Sequence, residues 1–166
     1  MTGKQRAVIL ACLVAVGVSL IVMLEMAGPI ATKPQINVGR LLMRENKMDG
    51  DHNCEIPLTR TNGRVEIRMG DTRCKDDEVY FYRFDNAPSA ALITFYDSPD
   101  CVPEKKWSYT LRITRYIVKS DDWLAIDGLK DKKKGDKIDN GVYLEDGEND
   151  GGDQVKGKLS CVVINY

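Results

Sequence analysis

The chain has 166 residues, with 24 Lys and Arg against 25 Asp and Glu, and a net charge of −1. So even a balance creates no strong overall field toward nucleic acid or anionic lipid, and nucleic acid is excluded as the expected partner. A single histidine and the absence of a C-x-x-C pair also speak against zinc sites and dithiol redox chemistry.

Residues 7–24 form an apolar run without charge, preceded by Lys4 and Arg6. Eighteen residues at about 1.5 Å each span roughly 27 Å, close to the thickness of a hydrocarbon core. Ser19 is the only polar residue in the run, so no polar face exists for a soluble core helix. A cleaved leader needs small residues at −3 and −1. Cutting after Ala27 places Glu25 at −3, and cutting after Ala31 places Pro29 there, so the run is expected to stay as an anchor. Positive charge on the N-terminal flank puts residues 1–6 in the cytoplasm and the body outside it, in a periplasm or at a cell surface. Were the leader cleaved, the product would be secreted. The expected organisation is a cytoplasmic 1–6, a transmembrane signal anchor 7–26, a tether 27–48 and an extracytoplasmic domain 49–166. Gly28, Pro29 and Pro34 mark the tether, within which 38–44 reads as a short helix or strand.

Outside the membrane four cysteines remain, Cys54, Cys74, Cys101 and Cys161, while Cys12 falls in the apolar run. An even set in an oxidising compartment implies two disulfides, with three possible connectivities. Asn62-Gly63 is a strong hairpin signal. Pairing outward from it sets Leu58 opposite Ile67 and Ile56 opposite Met69, and brings Cys54 near Cys74. That register predicts Cys54–Cys74, and elimination leaves Cys101–Cys161. Further strands are expected at 78–84 (EVYFYRF), 91–96 (ALITFY), 107–118, 123–126, 142–144 and 158–166 (KLSCVVINY). Turns fall between them at intervals of about ten residues, a pattern that predicts an antiparallel β-sandwich or barrel. Residues 130–137, with lysines interleaved by Asp131 and Asp136, read as a solvated turn.

Chemistry-bearing residues are sparse. His52 lies among Asp49, Asp51 and Asn53 and reads as a solvated loop residue. Residues 145–153 (EDGENDGGD) read as an acidic, glycine-rich hairpin loop whose oxygen ligands suit calcium. Asp146, Glu148 and Asp150 fall at positions 1, 3 and 5 of an EF-hand template, but Gly157 stands where its glutamate belongs.

The strand–turn–strand at 78–101, through RFDNAPSAALITFYDSPDC, resembles the Greek-key pattern of small secreted βγ-crystallin-like domains. The calcium loop of that family has two Asp or Asn residues, two free positions, then Ser or Thr, then Ser. Asp85, Asn86 and Ser89 match it, Ala90 replaces the second serine, and the glycine expected after the aromatic pair is missing after Phe95-Tyr96. The resemblance implies a Greek-key β domain with an incomplete calcium site formed by Asp85, Asn86 and Ser89.

The expected fold is therefore all-β, an antiparallel Greek-key sandwich or barrel with two disulfides, preceded by one N-terminal transmembrane helix. The expected role is non-catalytic recognition of a protein partner, through an aromatic face including Tyr80, Tyr82 and Tyr96. Calcium-binding architecture through Asp85, Asn86, Ser89, Asp146, Glu148 and Asp150 is one alternative. An extracytoplasmic hydrolase is another, disfavoured by the lone histidine.

Overall fold

The computed structural model describes residues 38–45, 54–60, 63–103, 106–149 and 154–166. The anchor expectation at 7–26 lies outside these residues, as do Cys12, His52 and Asp150. Among the described residues no helix is long and apolar enough to cross a membrane.

Residues 37–166 form one compact unit built from two antiparallel sheets. The first contains β1 (Gly39–Arg44), β2 (Cys54–Leu58), β4 (Phe81–Asp85) and β7 (Leu124–Ala125), in the order β2-β1-β4-β7. The second contains β3 (Arg64–Arg68), β5 (Leu92–Tyr96), β6 (Trp107–Ile113), β8 (Lys137–Asp139), β9 (Val142–Asn149) and β10 (Cys161–Asn165), in the order β3-β10-β5-β6-β9-β8.

Period-two alternation turns one side of each sheet inward. Leu41 and Met43 of β1, Cys54, Ile56 and Leu58 of β2, and Tyr82 and Phe84 of β4 supply the first layer of the core. Ile93 and Phe95, Trp107 through Ile113 at alternate positions, Val142, Leu144, Val162 and Ile164 supply the second. The layers meet where the Tyr82 ring stands edge-on to Phe95, centroids 5.0 Å apart. Such edge-to-face pairs contribute about 0.5–1.5 kcal/mol beyond the area they bury.

Both disulfides form as expected, Cys54–Cys74 and Cys101–Cys161. The hairpin that motivated the first does not form. β2 pairs with β1 and β3 pairs with β10, so the chain crosses from one sheet to the other between residues 58 and 64. Leu58 lies opposite Gly39 rather than Ile67, and Ile56 opposite Leu41 rather than Met69. Burial explains the crossover. β2 buries every second residue, whereas β3 (RVEIR) is exposed or half-exposed throughout. A hairpin would have put the two in one layer, yet the inward side of β2 needs the β1 and β4 neighbours. Both β2 and β3 end up as sheet edges, protected by Pro57 and by Arg64, Glu66 and Arg68 respectively.

Two other expectations are corrected. The tether does not extend to residue 48, because β1 lies between β2 and β4. The β domain thus starts before residue 49. The acidic segment expected as a loop from 145 is the second half of β9, which pairs with β6 through Asn149. Glu145 is the extra residue of a bulge, after which Asp146 faces Thr110 and Glu148 faces Ser108. Gly147 sits opposite Tyr109, whose ring covers it so closely that a Cβ there would lie 2.9 Å from Cδ1. That glycine serves close packing within a strand, not a turn.

Candidate functional site

The strands divide the loops into two ends. At one end lie the start of β1, the end of β4 and the 86–91 and 114–118 segments. They are joined by Ala90 N–H donating to Ile113 O (2.8 Å), Thr114 N–H donating to Gly141 O (2.9 Å) and a bridge between Ala87 and Val118. This is the end at which the chain enters the domain.

At the other end lie the 69–80 loop, the 97–103 loop and the 154–160 segment. Here Met69 N–H donates to Ser160 O (2.8 Å), Ser160 N–H to Tyr96 O (2.9 Å) and Asp77 N–H to Leu159 O (3.4 Å). Both disulfides are at this end. Cys54–Cys74 ties the 69–80 loop to the start of β2, and Cys101–Cys161 ties the 97–103 loop to the start of β10. Cys101, Cys161, Tyr96 and Val163 form a small second core beneath the 97–103 loop, on the outer side of the sheet. Arg64 donates to Cys101 O at 2.8 Å and closes its rim.

Between these stapled loops is a cleft of about 360 Å³ lined by Asp76, Asp77, Asp97, Pro99, Lys106, Gln154, Lys158 and Ser160. Lys158 Nζ donates to Asp77 Oδ2 at 2.7 Å, and Ser160 Oγ donates to Asp77 Oδ1 at 3.4 Å. Lys106 Nζ stands 3.7 Å from Asp97, whose side chain is 5 % exposed. The hydrogen bond and the charge of Asp77 raise the Lys158 ammonium above its usual range, so it stays protonated throughout physiological pH. Lys75, Asp77 and Cys101 all hold left-handed backbone at φ 58°. For residues other than glycine that conformation costs about 1–3 kcal/mol and persists where the surroundings over-determine it. Alternating ammonium and carboxylate groups on a rigid rim orient a charged partner by complementarity rather than by apolar burial. None of these cleft residues was singled out from the sequence. They come from three separated segments and carry no motif, and only the cysteine pairs hinted that their loops converge.

The expected sites lie elsewhere. Asp85, at the end of β4, accepts from Arg40 and from the Asn86 amide (3.3 Å). Ser89 accepts Arg60 at both its hydroxyl (3.2 Å) and its carbonyl (3.1 Å). Two guanidinium groups therefore occupy the turn expected to offer oxygen ligands. Asp146 and Glu148 belong to the other sheet and do not join it. Among the described residues no three His, Cys, Asp or Glu side chains converge as a metal site. The aromatic face of Tyr80, Tyr82 and Tyr96 is not a surface. Tyr82 is wholly buried, Tyr96 lies in the second core, and Tyr80 is half-buried under the Lys156 ammonium, 5.4 Å from the ring centre.

A second concavity, of about 340 Å³, lies on the outer side of the four-stranded sheet, between Arg40, Arg83, Asp85, Lys119 and Asp121. Beside it the guanidinium groups of Arg44 and Arg83 stand 4.3 and 4.8 Å from the centre of the Trp123 ring. Its Asp85 and Arg40 engage each other, as Asp77 with Lys158 and Asp97 with Lys106 do in the stapled cleft; what sets that cleft apart is the disulfide on each of two loops that frame it.

No known protein family, curated protein or solved structure matches this chain.

Proposed function

We propose that the protein is a membrane-anchored recognition module without catalytic activity. The apolar run 7–24 holds it in the membrane, and the β domain outside the cytoplasm presents its stapled cleft to a protein partner. One observation carries this reading. The two disulfides rigidify two of the three segments that frame the charged cleft, at the end remote from where the chain enters. Loops positioned by a rigid scaffold are where binding residues concentrate. Pre-ordering them lowers the entropy lost on association.

A photo-crosslinking residue at Gln154 of the full chain, in its native envelope, tests the proposal. The expected result is a discrete adduct that disappears with Lys106→Glu and survives Lys137→Glu, a charge reversal on β8. No adduct, or one indifferent to Lys106, would remove the cleft as the recognition face. A hydrolase is the second reading, because Asp77 and Asp97 line one cleft and glycosidases work with a carboxylate pair. Turnover of an envelope polysaccharide by the full chain, lost in Asp97→Asn, would favour it instead.

A further inference from the structure

The end at which the chain enters carries the most exposed large apolar residues of the described part. Tyr116 is 79 % exposed and Ile117 52 %, side by side in the 114–118 segment. Val38, the first described residue, is 41 % exposed. These features are neighbours. A Cβ on Gly39 would lie 2.5 Å from Asn86 O and 3.1 Å from Ala87 Cα, so the incoming chain runs against the 86–88 segment. Ala87 in turn pairs with Val118, the residue after Ile117. Ile117 also has φ 58°, a left-handed conformation that a β-branched side chain adopts only under constraint. The constraint is visible in the backbone bonds on either side, from Thr114 to Gly141 and between Val118 and Ala87.

Three cations lie at or beside this end, with Asp139 of the 137–141 turn and Asp121 near Lys119 as neighbouring carboxylates. Arg60 donates to Ser89, and Arg115 Nη1 donates to the Asn140 side chain at 2.7 Å. Among the described residues neither they nor Lys119 form an ion pair with a carboxylate. The segment from Glu25 to Asn37, between the apolar run and the domain, has 13 residues. Fully extended it reaches at most about 45 Å.

We propose that this end of the domain docks on a lipid surface, with Tyr116 and Ile117 at headgroup level and Arg60, Arg115 and Lys119 against anionic headgroups. Tyrosine suits that depth, having an apolar body and a polar tip. Basic residues add attraction to anionic lipid, and a short tether makes the contact intramolecular. The proposal rests on the reading of 7–24 as an anchor. It also orients the protein, because docking here turns the stapled cleft away from the bilayer.

The test uses the full chain carrying Tyr116→Trp, reconstituted into vesicles of phosphatidylcholine with or without phosphatidylglycerol. The unsubstituted chain supplies the background of Trp107 and Trp123. With acyl-brominated lipid the added tryptophan is expected to be quenched and to shift to the blue, as an indole held at headgroup level would. Adding Arg115→Glu and Lys119→Glu should weaken the quenching, most clearly with phosphatidylglycerol present. If the chain floats with the vesicles but the added tryptophan is indifferent to bromine, docking is overturned while the anchor stands. If the chain does not float, both fail. A blue shift confined to native membranes, without bromine quenching in pure lipid, identifies a protein occupant and likewise overturns the lipid proposal.

Discussion

The Tyr82 hydroxyl is buried at the centre of the core and, among the described residues, has no hydrogen-bond partner. A buried hydroxyl without a partner carries the cost of leaving water, about 1–3 kcal/mol, with nothing to offset it. Tyr82→Phe keeps the ring that meets Phe84 and Phe95 and removes only that oxygen. The substitution is expected to stabilise the domain by about 1 kcal/mol, raising the thermal midpoint by roughly 4 °C. Burial, with a smaller push from the Asp139 charge, also raises the Tyr82 phenol far above its ordinary value of 10.0. Burial likewise raises Tyr109 and Tyr166. A phenol that stays protonated in the folded state while its unfolded counterpart ionises contributes stability below the unfolded pKa and loses it as pH climbs past that value. Stability should therefore fall as pH rises above about 10, and less steeply in Tyr82→Phe. Denaturant unfolding across alkaline pH measures both effects. Equal slopes in the two proteins would mean that Tyr82 does not titrate in the transition.

Among the elements, the 114–118 segment makes the sharpest energetic statement, because a β-branched residue in left-handed backbone costs roughly 1–2 kcal/mol. Asparagine tolerates that conformation, so Ile117→Asn is expected to stabilise the domain by about 1 kcal/mol while weakening its hold on lipid. A loss of stability instead would show that Ile117 is supported by packing despite its exposure. Legibility in the sequence also divides element by element. β5 and β6 were readable because long runs of alternating or β-branched residues bury one side in full. β1 was ambiguous because Leu42 is buried on the outer side of its sheet, so GRLLMR loses its period. The second half of β9 was hidden behind Gly147, whose place under the Tyr109 ring looks in one dimension like a turn glycine. Asn62-Gly63 misled for a different reason. A local turn signal says nothing about which layer the flanking strands join, and burial on β2 but not on β3 decided that. The cleft was illegible because its residues meet only through the tertiary fold.

At the scale of the whole molecule the two ends differ in what holds them. Backbone hydrogen bonds among strands and turns close both ends, and the far end adds two covalent links to them. Cys54–Cys74 spans 20 residues and Cys101–Cys161 spans 60. In the chain-entropy account these closures stabilise by roughly 3 and 4 kcal/mol respectively. The second bond also covers the small core of Tyr96 and Val163, so its loss exposes apolar surface besides freeing the chain. Paired serine substitutions should therefore rank clearly, with Cys101→Ser/Cys161→Ser more destabilising than Cys54→Ser/Cys74→Ser by about 1 kcal/mol or more. Locality is the stricter consequence. If the disulfides order the cleft, amide exchange in either variant should rise first in the 69–80, 97–103 and 154–160 segments. Protection should persist in β5 and β6 and in the bridge between Ala87 and Val118, because those bonds belong to the sheets and the entry end. Partner capture from Gln154 should fall in the same variants while lipid quenching at Tyr116 is retained, since the two sites draw on different constraints. Uniform loss of protection across both ends would instead mean that the domain opens as one cooperative unit, and that the staples set global stability rather than the shape of the cleft.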